Sequence, residues 1–123
     1  HKYHIEKIDH VSDLCLVSTK RFKGKVFKIA RKNPKRGEKI FNVAAPLGIF
    51  EKNLIPLFEG YYIGEVHDKT AVTLPAVGGS SGSPILDKDG KVVGVVSAVM
   101  KNFHHVVISS TLKQIKSMIK TIK

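Results

Sequence analysis

The stretch VGGSSGSPIL, Val77–Leu86, holds a run of glycine and serine residues that ends at Pro84. Such a run is either a flexible linker or a backbone so tightly shaped that only small residues fit it. A linker separates domains, yet only 40 residues follow Ser83, and they begin at once with apolar residues. The stretch is therefore interpreted as a shaped loop between two strands.

Composition indicates one globular domain. The chain has 123 residues, of which 42% are apolar and 25% charged, within the range of folded soluble domains. No apolar run has the roughly eighteen residues of a membrane span, and no signal peptide opens the chain. Cys15 stands alone, so no internal disulfide can form. These features favour a cytoplasmic or virus-associated protein without a membrane span.

The net charge of +11 is large for this length. Lysine and arginine are densest in Lys20–Lys28, Arg31–Lys39 and Lys113–Lys123. This charge favours contact with polyanions, but no aromatic residues are interleaved as in platforms that stack bases. A solvated basic surface is therefore the favoured interpretation, and nucleic acid is kept as the weaker alternative.

No metal or other cofactor is expected. The histidines His1, His4 and His10 lack the cysteine or carboxylate spacing of a zinc motif. Cys15 is interpreted as a small core residue rather than a catalytic thiol.

Short segments rich in β-branched and aromatic residues recur along the chain and predict strands. The segments are KYHIEKI (2–8), DLCLVST (13–19), KVFKIA (25–30), KIFNVAAP (39–46), GYYIGEV (60–66), TAVTLPAV (70–77), PILDKDGKVVGVVSAV (84–99) and HHVVISS (104–110). The longest of them predicts a hairpin, since Asp89-Gly90 supplies the positive φ angles of a tight turn.

The last residues predict a helix. In SSTLKQIKSMIKTIK (109–123) the apolar residues fall on one helical face, namely Leu112, Ile115, Met118, Ile119 and Ile122. Ser109, Ser110 or Thr111 can cap its start. Packing on the domain is favoured over lying on a membrane, since the segment has no aromatic anchor. Many short strands followed by one helix predict an antiparallel β-barrel or sandwich.

The residues around Ser81 have the pattern that acyl transfer needs. Although 78–82 formally matches G-x-S-x-G, that elbow must open a helix, and here Pro84 and a strand follow. The alternative pattern is GSSGSP with Ser81 as nucleophile. Acyl transfer requires a hydroxyl beside backbone N–H groups that face the developing oxyanion. Gly79 lets its N–H turn inward, and Gly82 leaves room for the scissile bond.

At this motif the chain resembles the chymotrypsin-like (trypsin-like) serine proteases, especially the HtrA and glutamyl-endopeptidase branches. The resemblance spans roughly residues 11 to 122. Besides the motif at Ser81, five segments carry the resemblance, namely SDLCLV, RGEKIFNVAAPLGI, FEGYYIGEV, GKVVGVVSAV and HHVVISSTLKQIKSMI. It implies an all-β chymotrypsin-like fold of two antiparallel β-barrels with a C-terminal α-helix, the first barrel being incomplete. It divides this one protease domain into 1–36 (N-terminal barrel), 37–109 (C-terminal barrel) and 110–123 (helix).

The resemblance also implies the catalytic roles. Ser81 would be the nucleophile of a serine endopeptidase, Asp13 the triad carboxylate, and the N–H groups of Gly79 and Ser81 the oxyanion hole. The general base of the family is a histidine well upstream of the aspartate, but only 12 residues precede Asp13. His10 is too close to Asp13 in sequence. The expected partners are thus a polypeptide substrate and a missing N-terminal segment, in the same chain or a second one.

The resemblance places the first substrate pocket at Ala76, Val77, Ser97, Ala98 and Val99. Pro75 stands where enzymes that prefer basic residues have an acid, and Ser97 stands where glutamyl-type enzymes have a histidine. A small apolar pocket is expected. His104 and His105 either edge this pocket or form a surface pair.

The competing hypothesis is a catalytically inactive trypsin-like barrel. The absent histidine and the high positive charge favour it. Such a barrel would serve as a binding or structural module, for example in a virus particle, and would contact polyanions.

Overall fold

The computed structural model describes residues 2–20, 24–44, 56–75, 81–100 and 103–121. Within these ranges the chain forms eight strands and one helix. They are β1 (Tyr3–Asp9), β2 (Leu14–Thr19), β3 (Lys39–Val43), β4 (Leu57–Val66), β5 (Lys69–Thr73), β6 (Pro84–Leu86), β7 (Val92–Met100), β8 (Phe103–Ser109) and α1 (Leu112–Lys120).

Six of the strands close an antiparallel barrel in the order β3-β4-β5-β8-β7-β6. Alternate residues of β3 and β5 point inward, as the pleat of a strand requires. Their inward side chains meet those of β6, β7 and β8 in one apolar cluster, which includes Ile40, Val72, Ile85, Val93 and Val107. The all-β architecture expected from the sequence is confirmed.

The strands β1 and β2 form a separate two-stranded antiparallel sheet. Several of its apolar side chains are more than half exposed, among them Tyr3, Ile5 and Ile8. This sheet carries the turn in which Asp13 lies.

The prediction of a strand over residues 25–30 is wrong. The segment makes a single isolated parallel bridge, between Ile29 and Val92, with hydrogen bonds from Ala30 N to the Val92 carbonyl (2.9 Å) and from Val92 N to the Lys28 carbonyl (2.8 Å). The side chains of Val26 and Phe27 are 77% and 53% exposed. Their apolar pattern therefore covers no sheet face in the described structure.

The predicted hairpin is present as β6 and β7, but its turn differs from the predicted one. Of the Asp89-Gly90 pair only Gly90 has a positive φ, of 78°. The turn is longer because the Asp87 carboxylate accepts hydrogen bonds from Asp89 N and Lys91 N, each 2.9 Å long. Asp87 N also donates to the Lys91 carbonyl at 2.8 Å.

The helix α1 begins with a capping box. The Thr111 side chain accepts a hydrogen bond from Gln114 N, while Gln114 Oε1 accepts one from Thr111 N. Leu112, Ile115 and Met118 are buried against the domain, whereas Ile119, predicted on the same face, is 40% exposed. Across the described ranges, no helix is both long and apolar enough to cross a membrane.

Gly60 in β4 is expected to be the glycine least tolerant of a side chain. A Cβ there would overlap the Thr73 carbonyl oxygen of the paired strand β5. Because a backbone oxygen cannot move without opening the barrel, Gly60→Ala should lower the free energy of unfolding by about 3 kcal/mol. Urea unfolding of the full-length protein measures this change.

Gly90→Ala is the matched control for this substitution. Its Cβ would meet no atom within 4 Å, so the only penalty is the positive φ of 78°. That penalty is about 1–2 kcal/mol. Equal losses in the two variants would show that the close approach at Gly60 does not limit stability.

Candidate active site

The carboxylate of Asp13 is presented by a turn that Asp9 organises. Asp9 accepts hydrogen bonds from Val11 N at 3.2 Å and from the Ser12 hydroxyl at 2.8 Å. Ser12 is almost fully buried, at 1% exposure. Asp13 itself has a φ of +56°, in the left-handed region. Aspartate tolerates this region better than most residues, so the turn fits Asp13 without a glycine.

The Ser12 hydroxyl is the main cause that lowers the pKa of Asp9 below its usual value, and the N–H of Val11 adds to the effect. A lowered carboxyl pKa contributes stability above the unfolded pKa, and this contribution is lost as the pH falls through the folded pKa. We expect Ser12→Ala to raise the pKa of Asp9 toward its ordinary value, measured by NMR titration of the carboxyl carbon.

Ser18→Ala is the control for this titration. It removes a 2.7 Å hydrogen bond from Ser18 to Glu6 on the same small sheet. The pKa of Asp9 should not move in that variant. An unchanged pKa of Asp9 in Ser12→Ala would contradict the assigned role of the Ser12 hydroxyl.

Ser97 in β7 meets Asp13 across 84 positions of sequence. Its hydroxyl donates to Asp13 Oδ2 at 2.6 Å. This short, charge-assisted bond holds the exposed carboxylate of Asp13 against the barrel. The turn before β2 and the strand β7 are thereby joined at one point.

Ser81 contacts the backbone of Ser97. Its hydroxyl donates to the Ser97 carbonyl at 3.3 Å. Two backbone hydrogen bonds join the turn around Ser81 to β7. They run from Gly82 N to the Val96 carbonyl (2.8 Å) and from Val96 N to the Ser83 carbonyl (2.9 Å). Gly82 has a φ of +86°, which favours glycine at this position. The structure thus brings Ser81, Ser97 and Asp13 together.

Asn42 in β3 supports the same turn, although sequence reasoning did not select it. Its side chain is 1% exposed and donates to the Ser83 hydroxyl and the Pro84 carbonyl, both at 2.9 Å. The available signal was a polar residue at an inward position of the alternating strand KIFNV. A buried amide needs hydrogen-bond partners, and those of Asn42 lie two and three positions after Ser81.

The remaining predicted pocket residues are only partly described. Ala98 and Val99 follow Ser97 on β7 and are exposed. Ala76 and Val77 of the predicted pocket and Gly79 of the predicted oxyanion hole lie outside the described residues, so their roles stay predictions.

Cys15, predicted as a core residue, is exposed on β2, so that prediction is wrong. Its face of the two-stranded sheet is not covered by any described part of the barrel. In the described residues no group of three or more histidine, cysteine, aspartate or glutamate side chains could hold a metal ion.

No histidine within the described ranges donates to or accepts from Asp13 or Ser81. The imidazoles of His4, His10, His67 and His105 are exposed. The side chain of His104 lies outside the description. Ser81 and Asp13 thus have no histidine partner among the described residues.

Comparison with solved structures identifies proteins of the same fold. The Rv3671c protease from M. tuberculosis in its active form aligns with a TM-score of 0.84 at 15% identity, over 98% of this chain and 58% of that chain. Its inactive form gives a TM-score of 0.78, also at 15% identity, over 98% and 66%. The inactive form of its serine-to-alanine mutant gives 0.79, at 15% identity, over 98% and 64%.

These alignments show a chymotrypsin-like fold, and the chain spans less than two thirds of each of those proteases. No curated protein matches the sequence. The family model described as the trypsin-like peptidase domain matches residues 3–95, which is most of the chain. On this match, the protein belongs to the trypsin-like peptidase family.

Proposed function

We propose that the protein is a serine endopeptidase in which Ser81 forms an acyl-enzyme and Asp13 orients the general base. The observation that carries this proposal is the connection through Ser97. One residue of β7 accepts from the Ser81 hydroxyl and donates to the Asp13 carboxylate, at 3.3 and 2.6 Å. Both groups therefore lie within hydrogen-bond reach of the same residue, as a nucleophile and a carboxylate that share one imidazole must lie close together.

The chemistry follows the two steps of acyl transfer. The base removes the Ser81 proton as the oxygen attacks the peptide carbonyl, and it then returns that proton to the leaving amine. Water, deprotonated by the same base, then hydrolyses the ester. The N–H groups of Gly79 and Ser81 stabilise the oxyanion in both steps. Asp13 keeps the imidazole in the correct tautomer and stabilises its charged form.

The general base is proposed to be a histidine outside these 123 residues, in a segment that completes the N-terminal barrel. The absence of a suitable histidine among the described residues supports this assignment, as does the 58–66% coverage of the similar proteases. The exposed apolar residues of β1 and β2 would pack against such a segment. Tyr3, Ile5 and Ile8, at 63%, 56% and 53% exposure, are the candidates.

We assign the enzyme to the HtrA-like branch on the motifs around Ser81 and Asp13. The units 1–36, 37–109 and 110–123 serve as the rest of the first barrel, the second barrel and a packed helix. The first substrate pocket is proposed to be small and apolar and to include Ala76, Val77, Ser97, Ala98 and Val99. Peptides with a small apolar residue before the scissile bond are the proposed substrates.

A fluorophosphonate probe tests the proposal in the full-length protein. Labelling should require Ser81, and it should disappear on heat denaturation and in the Ser81→Ala variant. A known serine protease in the same tube verifies the probe. If that protease is labelled while Ser81 is not, the protein is an inactive barrel and the proposal is wrong.

The isolated 123-residue chain is expected to be inactive and poorly soluble. No histidine of the described ranges contacts Ser81. An unassisted serine hydroxyl is a weak nucleophile near neutral pH. The open edges and apolar residues of β1 and β2 would also promote association between chains. Peptide cleavage and thermal unfolding of this fragment measure both effects. Ser81-dependent turnover would contradict the first expectation, and a soluble monomer with a cooperative transition the second.

A further inference from the structure

A basic groove lies between the segment 31–33 and the helix α1. It encloses about 550 Å³. Five cationic residues line it: Arg31, Lys32, Lys113, Lys116 and Lys120. No carboxylate is among its lining residues. We call this feature the α1 groove.

The walls of the α1 groove are fixed by contacts on both sides. Ala30 N donates to the Val92 carbonyl at 2.9 Å, which holds the segment before Arg31 against the barrel. On the other wall, Leu112, Ile115 and Met118 bury the apolar face of α1. Lys116 Nζ donates to the Arg31 carbonyl at 2.5 Å and joins the two walls. The groove is therefore a formed part of the fold.

Four of its cations are available to a ligand. Arg31, Lys32 and Lys113 make no side-chain hydrogen bond or ion pair with any described residue, and the same holds for Lys120. The single ion pair within the described ranges is Lys39 with Glu59, at 3.6 Å. Uncompensated positive charges that face each other across a concave surface repel, and an anion between them removes that repulsion.

Positive charge continues beyond the groove. The adjoining depression shares Arg31 and Lys32 and adds Lys35, Lys88 and Lys91. Three carboxylates also line it, so its cations outnumber them by two. Glu38 and Asp87 accept hydrogen bonds from backbone N–H groups, Asp89 is exposed, and none of the three makes an ion pair with these lysines. The basic surface is thus longer than the groove, as an extended ligand requires.

We propose that the α1 groove binds the phosphate backbone of single-stranded nucleic acid without sequence preference. A strand with one charge per nucleotide neutralises cations on both walls. The lining has no aromatic side chain for base stacking, so the phosphates provide the affinity. A flat lipid surface would not reach into the groove, and the apolar face of α1 is buried. An acidic peptide would find neither a sheet edge nor an apolar pocket here to fix it.

The groove lies away from the candidate active site. Segment 28–30 contacts Val92 at the start of β7, whereas Ser97 is five positions further along. That separation is about 16 Å at about 3.3 Å per residue. A bound strand therefore leaves Ser81 open, and the peptidase would act while held on nucleic acid.

The test is fluorescence anisotropy of the full-length protein with a labelled oligothymidylate of about 20 nucleotides. Four phosphate contacts predict a slope of about −2.8 in log affinity against log salt, which is about a 50-fold loss between about 50 and 200 mM. The variant Lys113→Gln/Lys120→Gln should lower affinity at least about tenfold and bring the slope to about −1.4. Cleavage of a neutral peptide should not change in this variant.

The control Lys7→Gln/Lys25→Gln removes the same charge from exposed positions outside the groove. Its affinity should fall less than about threefold. Equal losses in the two variants would show attraction by net charge alone and overturn the proposal. Groove-dependent binding of phosphatidylserine vesicles or polyglutamate, with none of the oligonucleotide, would also overturn it.

Discussion

Replacing Ser81 with alanine in the full-length protein should lower kcat for peptide hydrolysis by about 10⁶-fold. In the proposed mechanism the Ser81 hydroxyl oxygen forms the acyl-enzyme, and alanine has no atom that can do so. The KM should change little, because the proposed substrate pocket does not include the Ser81 side chain. Folding should be unaffected, since the lost 3.3 Å hydrogen bond to the Ser97 carbonyl is exposed.

Ser18→Ala is the matched control, since it makes the same substitution at an exposed serine of β2. It should keep full activity. Active-site titration of each preparation separates a true residual rate from a contaminating protease. Turnover in Ser81→Ala at more than about a thousandth of the wild-type rate would mean that another group performs the attack.

The second large effect is expected at Asp13. Asp13→Asn should lower kcat/KM by about 10⁴-fold near neutral pH, because the amide leaves the base in the wrong tautomer. The fold should tolerate the change. Asparagine adopts the left-handed backbone as readily as aspartate, and its amide oxygen can still accept the Ser97 hydroxyl.

The measurements are kcat/KM across pH and urea unfolding of the same samples. Asp89→Asn, an exposed aspartate in the turn between β6 and β7, is the control and should retain activity. Loss of activity together with loss of folding would make Asp13 a structural residue. Unchanged activity in a folded Asp13→Asn protein would exclude it from the triad.

The strands of the barrel could be predicted because their apolar residues alternate and glycine, proline or charge separates them. The same alternation predicted a strand over residues 25–30, and that prediction was wrong, because this segment makes only one isolated bridge and joins no sheet. Alternation of apolar and polar residues indicates that a segment can form a strand. Whether it pairs with another strand depends on residues distant in sequence, such as Val92. The turn at Gly90 differed for a similar reason, since the Asp87 carboxylate selects a longer loop.

The candidate site was predicted from motif resemblance, and its supporting contacts were not. Asp9 lies only three positions before Ser12, but the sequence does not show the turn that brings their side chains together. The inward position of Asn42 predicts burial, whereas its partners Ser83 and Pro84 lie about 40 positions away and depend on the fold. The α1 groove is a further case. The sequence shows two clusters of cations, but only the fold places Arg31 opposite Lys113 and Lys120.

The left-handed backbone at Asp13 limits how this position can evolve. Residues other than glycine, asparagine and aspartate are penalised there by backbone strain alone, before any question of catalysis arises. If Asp13 has the proposed catalytic role, a lineage without that role could replace it by asparagine or glycine and keep its fold. Under the proposed mechanism, asparagine or glycine at position 13 would then mark descendants that keep the barrel without the triad carboxylate.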